Sequence, residues 1–126
     1  MSLERKRPEI EFPEGEPPVV LSLTDEIVGE GAEAASGSTV TAHYVGVAFS
    51  TGEEFDASWN RGEPLQFRLG VGQVIPGWDQ GISGMRVGGR RRLVIPPDLA
   101  YGERGAGGAI GPNETLIFVV DLVDAS

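Results

Sequence analysis

Few side chains in this chain could carry covalent or acid–base chemistry. His43 is the single histidine, so a Ser-His-Asp relay would have to be built on it, and no serine lies in a Gly-x-Ser-x-Gly turn. The alternation around it sets His43 opposite Tyr44, toward solvent or the outer side of a sheet. There is no cysteine, which removes a thiol nucleophile, a disulfide framework and a Cys-based zinc site. Glu53, Glu54 and Asp56 offer carboxylates of the kind a glycosidase pairs. Glu54 and Asp56 do share a strand face, but Glu53 beside a turn is an ordinary exposed position. The run from Gly102 to Gly111 looks like a phosphate loop, yet it lacks Gly-Lys-Ser/Thr and no helix pattern follows it. It reads as a rim loop. On a strand, Arg90 and Arg92 share one face while Arg91 takes the other, so the three do not converge on an anion and read as solvated sheet-face charges.

What remains is aromatic and aliphatic: Tyr44, Phe55, Trp78, Tyr101 and Phe118, with Val74, Ile75 and Ile110. A one-sided sheet cannot easily enclose that many large rings. An open apolar cavity edged by tyrosine hydroxyls is the alternative to a plain core.

The elements that must position these residues follow from pattern. Residues 1–18 are rich in charge and proline and read as an extended or flexible arm, with residues 19–126 as the domain. Leu21-Ser22-Leu23-Thr24 alternates, as do residues 39–48, with Val40, Ala42 and Tyr44 on one face. Phe55 begins another extended piece, and Leu65, Phe67 and Leu69 alternate in the next. Pro76 suits the first turn of a helix, and Trp78, Ile82 and Met85 then follow at i, i+4 and i+7. Gly77, Gly81 and Gly84 each weaken that helix by roughly 0.5–1 kcal/mol relative to alanine, so it must be short and held from outside. A strand over residues 90–95 stops at Pro96-Pro97, and the last places Leu116, Phe118, Val120 and Leu122 on one face. The expected fold is α+β: several antiparallel strands in a twisted sheet, a half-barrel wrapped around one short α-helix, its other face wet.

Composition narrows the partners. At 126 residues the chain is long enough for one cored domain. Its net charge of −9 leaves no basic surplus to displace counterions from nucleic acid. No window approaches the ~20 apolar residues of a membrane span. Arg5-Lys6-Arg7 is followed by no apolar segment of the secretory type, so a cytoplasmic protein is expected. Nothing demands more than a monomer, and no metal-ligand spacing or cofactor motif appears.

Taken in order, His43-Tyr44-Val45-Gly46, Gly52, Phe55-Asp56-Ala57-Ser58, Leu69-Gly70, Val74-Ile75-Pro76-Gly77-Trp78, Gly81, Gly84-Met85, Val87-Gly88, Ile95-Pro96-Pro97, Ala100-Tyr101-Gly102 and Leu116-Ile117-Phe118 closely resemble the FKBP-type peptidyl-prolyl cis–trans isomerases, the immunophilins that bind tacrolimus and rapamycin. The resemblance implies an antiparallel sheet of about five strands curled around the one short helix and a pocket between them, with Trp78 as its floor and Tyr44, Phe55, Phe118, Val74 and Ile75 as its walls. Leu65 would also line it, where an aromatic is frequent in the family, and Ile110 would overhang the rim. The groups acting on the imide would be Phe55, Asp56, Tyr101 through its hydroxyl and Ile75 through its backbone N–H, with Arg61 and the Tyr44 hydroxyl orienting Asp56. Ala106 and Ala109 stand where larger groups are common and thin the rim. The implied activity is rotation about X–Pro bonds in folding or unfolded proteins, without cofactor, with macrolide binding possible. Two rivals share the fold: a non-catalytic module that holds proline segments, and a weak folding chaperone. A proline-switch peptide assay separates turnover from holding.

Overall fold

The computed structural model describes residues 7–11 and 15–126; residues 1–6 and 12–14 of the expected arm lie outside the described residues. Among the described residues one antiparallel sheet forms from β1 (Ser22–Ile27), β2 (Thr39–Ala48), β3 (Glu54–Ala57), β4 (Leu65–Arg68), β5 (Arg90–Ile95) and β6 (Leu116–Ala125). The spatial order is β1-β5-β6-β2-β3, with β4 also paired to β2. β4 pairs with the first half of β2, Thr39 to Ala42, and β3 with the second half, Val45 to Val47. These two short strands therefore share one edge position, separated by the 3-10 turn Ser58–Arg61. The six strands thus fill five positions, and five is the strand number that the resemblance implies.

β6 sits between β5 and β2, and its first seven residues are all buried. That is why Leu116-Ile117-Phe118-Val119-Val120 reads as a continuous apolar run rather than a strict alternation: both faces are covered. Leu116, Phe118, Val120 and Leu122 join Val40, Ala42 and Tyr44 in the main core against the helix.

The opposite face is not wet. Val45, Val47, Ala57 and Ile117 form a second buried cluster there, with Ile10, Phe49, Trp59 and Val94 packed against it. A lone Ile10 among charges carries no periodicity, so its part in covering the sheet was invisible in sequence. The arginines of β5 also differ from expectation. Arg90 forms a bidentate pair with the fully buried Asp121, Nε to Oδ1 at 2.7 Å and Nη2 to Oδ2 at 3.1 Å. Arg91 bonds Asp25 at 2.7 Å and the Gly81 carbonyl at 2.8 Å. They are largely buried ties between elements rather than solvated charges, and burying Asp121 requires such a partner.

The helix, α1 (Pro76–Gly81), starts at Pro76 as expected but is only six residues long. Ile82 caps it, and Gly84 at φ +91° turns the chain. Met85 thus reaches the core from a turn, its N–H bonded to the Ile82 carbonyl at 3.0 Å, and not from a continuing helical face. The glycines that weaken this helix also let it approach the sheet: a Cβ on Gly77 would lie 2.5 Å from Cγ2 of Ile95.

Candidate functional site

The site is assembled where α1 ends its approach to the concave side of the sheet. Trp78, on the buried face of α1, is 4 % exposed. Its ring meets Tyr44 at 4.9 Å and Phe118 at 5.2 Å, both edge-on, and Phe67 at 5.6 Å. Phe55 meets Phe118 edge-on at 5.5 Å. These are the separations at which aromatic quadrupoles attract, so the rings brace one another instead of collapsing into the space above them. Gly46 makes room for two of these rings. A Cβ there would lie 2.6 Å from Cε1 of Phe118 and 2.7 Å from Cζ of Phe55.

The result is an open cavity of about 180 Å³ lined by Tyr44, Phe55, Asp56, Leu65, Gln73, Val74, Ile75, Trp78, Tyr101 and Phe118. An apolar cavity of ~150 Å³ accepts a benzene ring, so the hollow has room for a pyrrolidine ring. Every expected lining residue is brought to it except Ile110. That residue is 6 % exposed and folded into the main core, held in the rim loop by reciprocal backbone bonds with Ala106 at 2.9 and 3.1 Å. It is not among the residues that line the hollow. Gln73 is the lining residue that sequence reasoning missed, because an exposed glutamine next to a glycine carries no periodic signal.

Polar groups ring the mouth. Tyr44 donates its hydroxyl to Oδ2 of Asp56 at 2.6 Å, while Arg61 donates to Oδ1 of Asp56 and to the Tyr44 oxygen, each at 2.9 Å. The expected orienting pair around Asp56 is present in the geometry. Burial, and then the bond to Asp56, push the Tyr44 hydroxyl pKa above its ordinary value, with Arg61 opposing. Tyr44 therefore stays protonated and donating. The Arg61 guanidinium is held further toward its charged form by its bonds to Tyr44 and Asp56. Tyr101, which also lines the hollow, is 41 % exposed.

The segment before α1 is fixed by side chains on either side of it. Asp79 accepts the Gly70 N–H at 2.8 Å and the Gly72 N–H at 3.0 Å. Gln73 accepts the Arg68 N–H at 2.8 Å through Oε1. Ile75 is the residue before the helix; its carbonyl receives the Trp78 and Asp79 N–H groups at 2.9 and 3.2 Å. Its own N–H has no acceptor among the described residues.

His43 lies away from the cavity. It stacks on Trp59 at 4.2 Å, and its Nδ1 lies 2.8 Å from Oγ of Ser58, which also accepts the Tyr44 N–H at 2.7 Å. Burial lowers its pKa from 6.5, with Asp121 opposing. The geometry gives it a structural part on the outer face.

The sheet and helix thus enclose an apolar, tryptophan-floored hollow with room for a small uncharged ring and with hydroxyl and guanidinium donors at its mouth. A family model described as FKBP-type peptidyl-prolyl cis–trans isomerase matches residues 30–123. An FK506-binding protein of Streptomyces anulatus is 68% identical over 124 residues, covering 98% of each chain. A probable FK506-binding protein of Corynebacterium glutamicum is 53% identical over 120 residues, 95% of this chain and 99% of that protein. The crystal structure of AtFKBP13 superimposes with a TM-score of 0.78 at 46% identity, over 84% of this chain and 93% of that one. The chain belongs to the FKBP-type peptidyl-prolyl cis–trans isomerase family, and its enzymatic class is that of a prolyl isomerase.

Proposed function

We propose that the cavity seats the proline ring of an X–Pro segment over Trp78 and lowers the barrier to rotation of the preceding imide, in folding or unfolded protein chains. The single observation that carries the reading is the open hollow of about 180 Å³, walled by braced rings and rimmed by Asp56, Tyr101 and Ile75. The barrier to be lowered is ~18–20 kcal/mol, because rotation breaks amide resonance. An acceleration of ~10⁴–10⁶ corresponds to roughly 5–8 kcal/mol.

The planar imide carries the larger dipole and loses more when it leaves water, so an apolar pocket disfavours it relative to the twisted form. Unpaired burial of an amide costs ~1–3 kcal/mol, so desolvation supplies only part of the effect. The Ile75 N–H and the Tyr101 hydroxyl hold the flanking carbonyls and select the twisted shape. The Asp56 carboxylate, fixed by Tyr44 and Arg61, sets negative charge beside the imide. A planar imide oxygen is more negative than a twisted one, so this field too penalises the flat form more. Macrolides of the tacrolimus type, named in the relatives of this chain, would occupy the same hollow.

The test is exchange of an X–Pro peptide between isomers, followed by magnetisation transfer. The reading expects exchange far above the spontaneous rate of one event per tens to hundreds of seconds, and spontaneous exchange with pure protein would refute it. Tacrolimus titration should quench or shift Trp78 emission in a Trp59→Phe background, where the outer-face indole no longer contributes.

A further inference from the structure

Resting on that reading of the cavity, we propose that Arg7 of the N-terminal arm is a positioning residue for the isomerisation. It grips β3 and the 3-10 turn from outside, and so holds Asp56 and Arg61 in place at the mouth.

β3 is a short edge strand. It pairs with β2 alone, and its register slips between Gly46 and Val47. A four-residue strand with one ladder is weakly held, yet it carries Phe55 and Asp56, and the turn that follows carries Arg61. Arg7 supplies a second restraint. Its Nη1 donates to Oδ1 of Asn60 and its Nη2 pairs with Oε1 of Glu54. Asn60 closes the triangle by donating to Oε2 of Glu54 at 3.0 Å. One guanidinium thus bridges the first residue of β3 and the residue before Arg61, with Asp56 between them.

The arm is also anchored independently of Arg7. Pro8 is buried, and Ile10 packs on the outer cluster that includes Trp59, the neighbour of Asn60. A planar, five-donor head meets a carboxylate and an amide oxygen at once, which a flexible ammonium does less well.

The experiment uses the full chain and a short X–Pro peptide. Arg7→Ala should lower kcat/KM about threefold, the size of one exposed ion pair, while Tm moves by a few degrees at most. Arg7→Lys, which keeps a cation for Glu54, should recover part of the loss. The decisive measurement combines Arg7→Ala with Asp56→Leu. If Arg7 acts through the Asp56 constellation, the double variant has the kcat/KM of Asp56→Leu alone. Wild-type kcat/KM in Arg7→Ala, or losses that multiply in the double variant, would overturn the proposal. The wild-type rate in the same assay tests the reading of the cavity separately.

Discussion

Asp56 is where activity and stability should part most clearly, and Asp56→Leu is the perturbation that separates them. Its ion pair with Arg61 is nearly half exposed on both sides, 44% and 46% of the side chains, so the pair stabilises the fold by only ~0.2–1 kcal/mol. The Tyr44 hydroxyl loses its acceptor but keeps the Arg61 contact at 2.9 Å. With that loss discounted for exposure, the total cost to folding is about 1–2 kcal/mol. The effect on catalysis is larger if the carboxylate acts on the imide. A charge-assisted interaction that differs between planar and twisted forms contributes ~1.5–3 kcal/mol, or about 10–100-fold in kcat/KM. Urea unfolding and peptide exchange on the same preparation measure both quantities, and Asp56→Asn removes the charge with little change of shape. An activity loss no larger than the stability loss, both in kcal/mol, would refute the argument and leave Asp56 a structural residue.

Tyr44 is held protonated and His43 lies outside the cavity, so neither should act as an acid or base in the reaction. kcat/KM should then be flat between about pH 6 and 8, and a bell-shaped profile there would contradict the mechanism. Gly46→Ala should displace the Phe55 and Phe118 rings, costing ~1–3 kcal/mol of stability by overpacking. Peptide affinity should fall at the same time, which titration of the folded variant would read. His43, whose folded pKa lies below the unfolded 6.5, resists a proton that the unfolded chain accepts. The stability it contributes is present above about pH 6.5 and drains as pH falls below it. The urea midpoint of the wild type should therefore drop more between about pH 7.5 and 5.5 than that of His43→Gln.

The parts legible in the sequence were those where one residue alone decides the local geometry. Pro96 ends β5 at Ile95 because the chain beyond it cannot continue the ladder, and Pro76 opens α1. Alternation placed Val40, Ala42 and Tyr44 on the core face of β2 because one face of that strand packs on the helix side. The helix end was not legible. Ile82 and Met85 keep the apolar spacing, but the positive φ of Gly84 is a property of the backbone path. Asp121 was hidden for a related reason: its partner Arg90 stands on a neighbouring strand, so nothing nearby in sequence marks the buried charge as paired. The outer cluster needed Ile10, whose contact partners lie far along the chain.

The site divides the same way. Trp78, Tyr44, Phe55 and Phe118 stood out in the sequence as large rings that one short helix does not easily cover, and the family resemblance gave them their places as floor and walls. What keeps the gap from closing is less visible. It depends on Gly46, whose missing Cβ leaves room for two rings, and on Asp79 and Gln73, which tie down the segment before α1. The same logic places Ile110: once Ala106 and Ile110 exchange backbone bonds, the rim loop folds back on itself and its one large aliphatic side chain goes to the core. An isomerase pocket of this kind is thus less a set of reactive groups than a packing defect held open by backbone contacts.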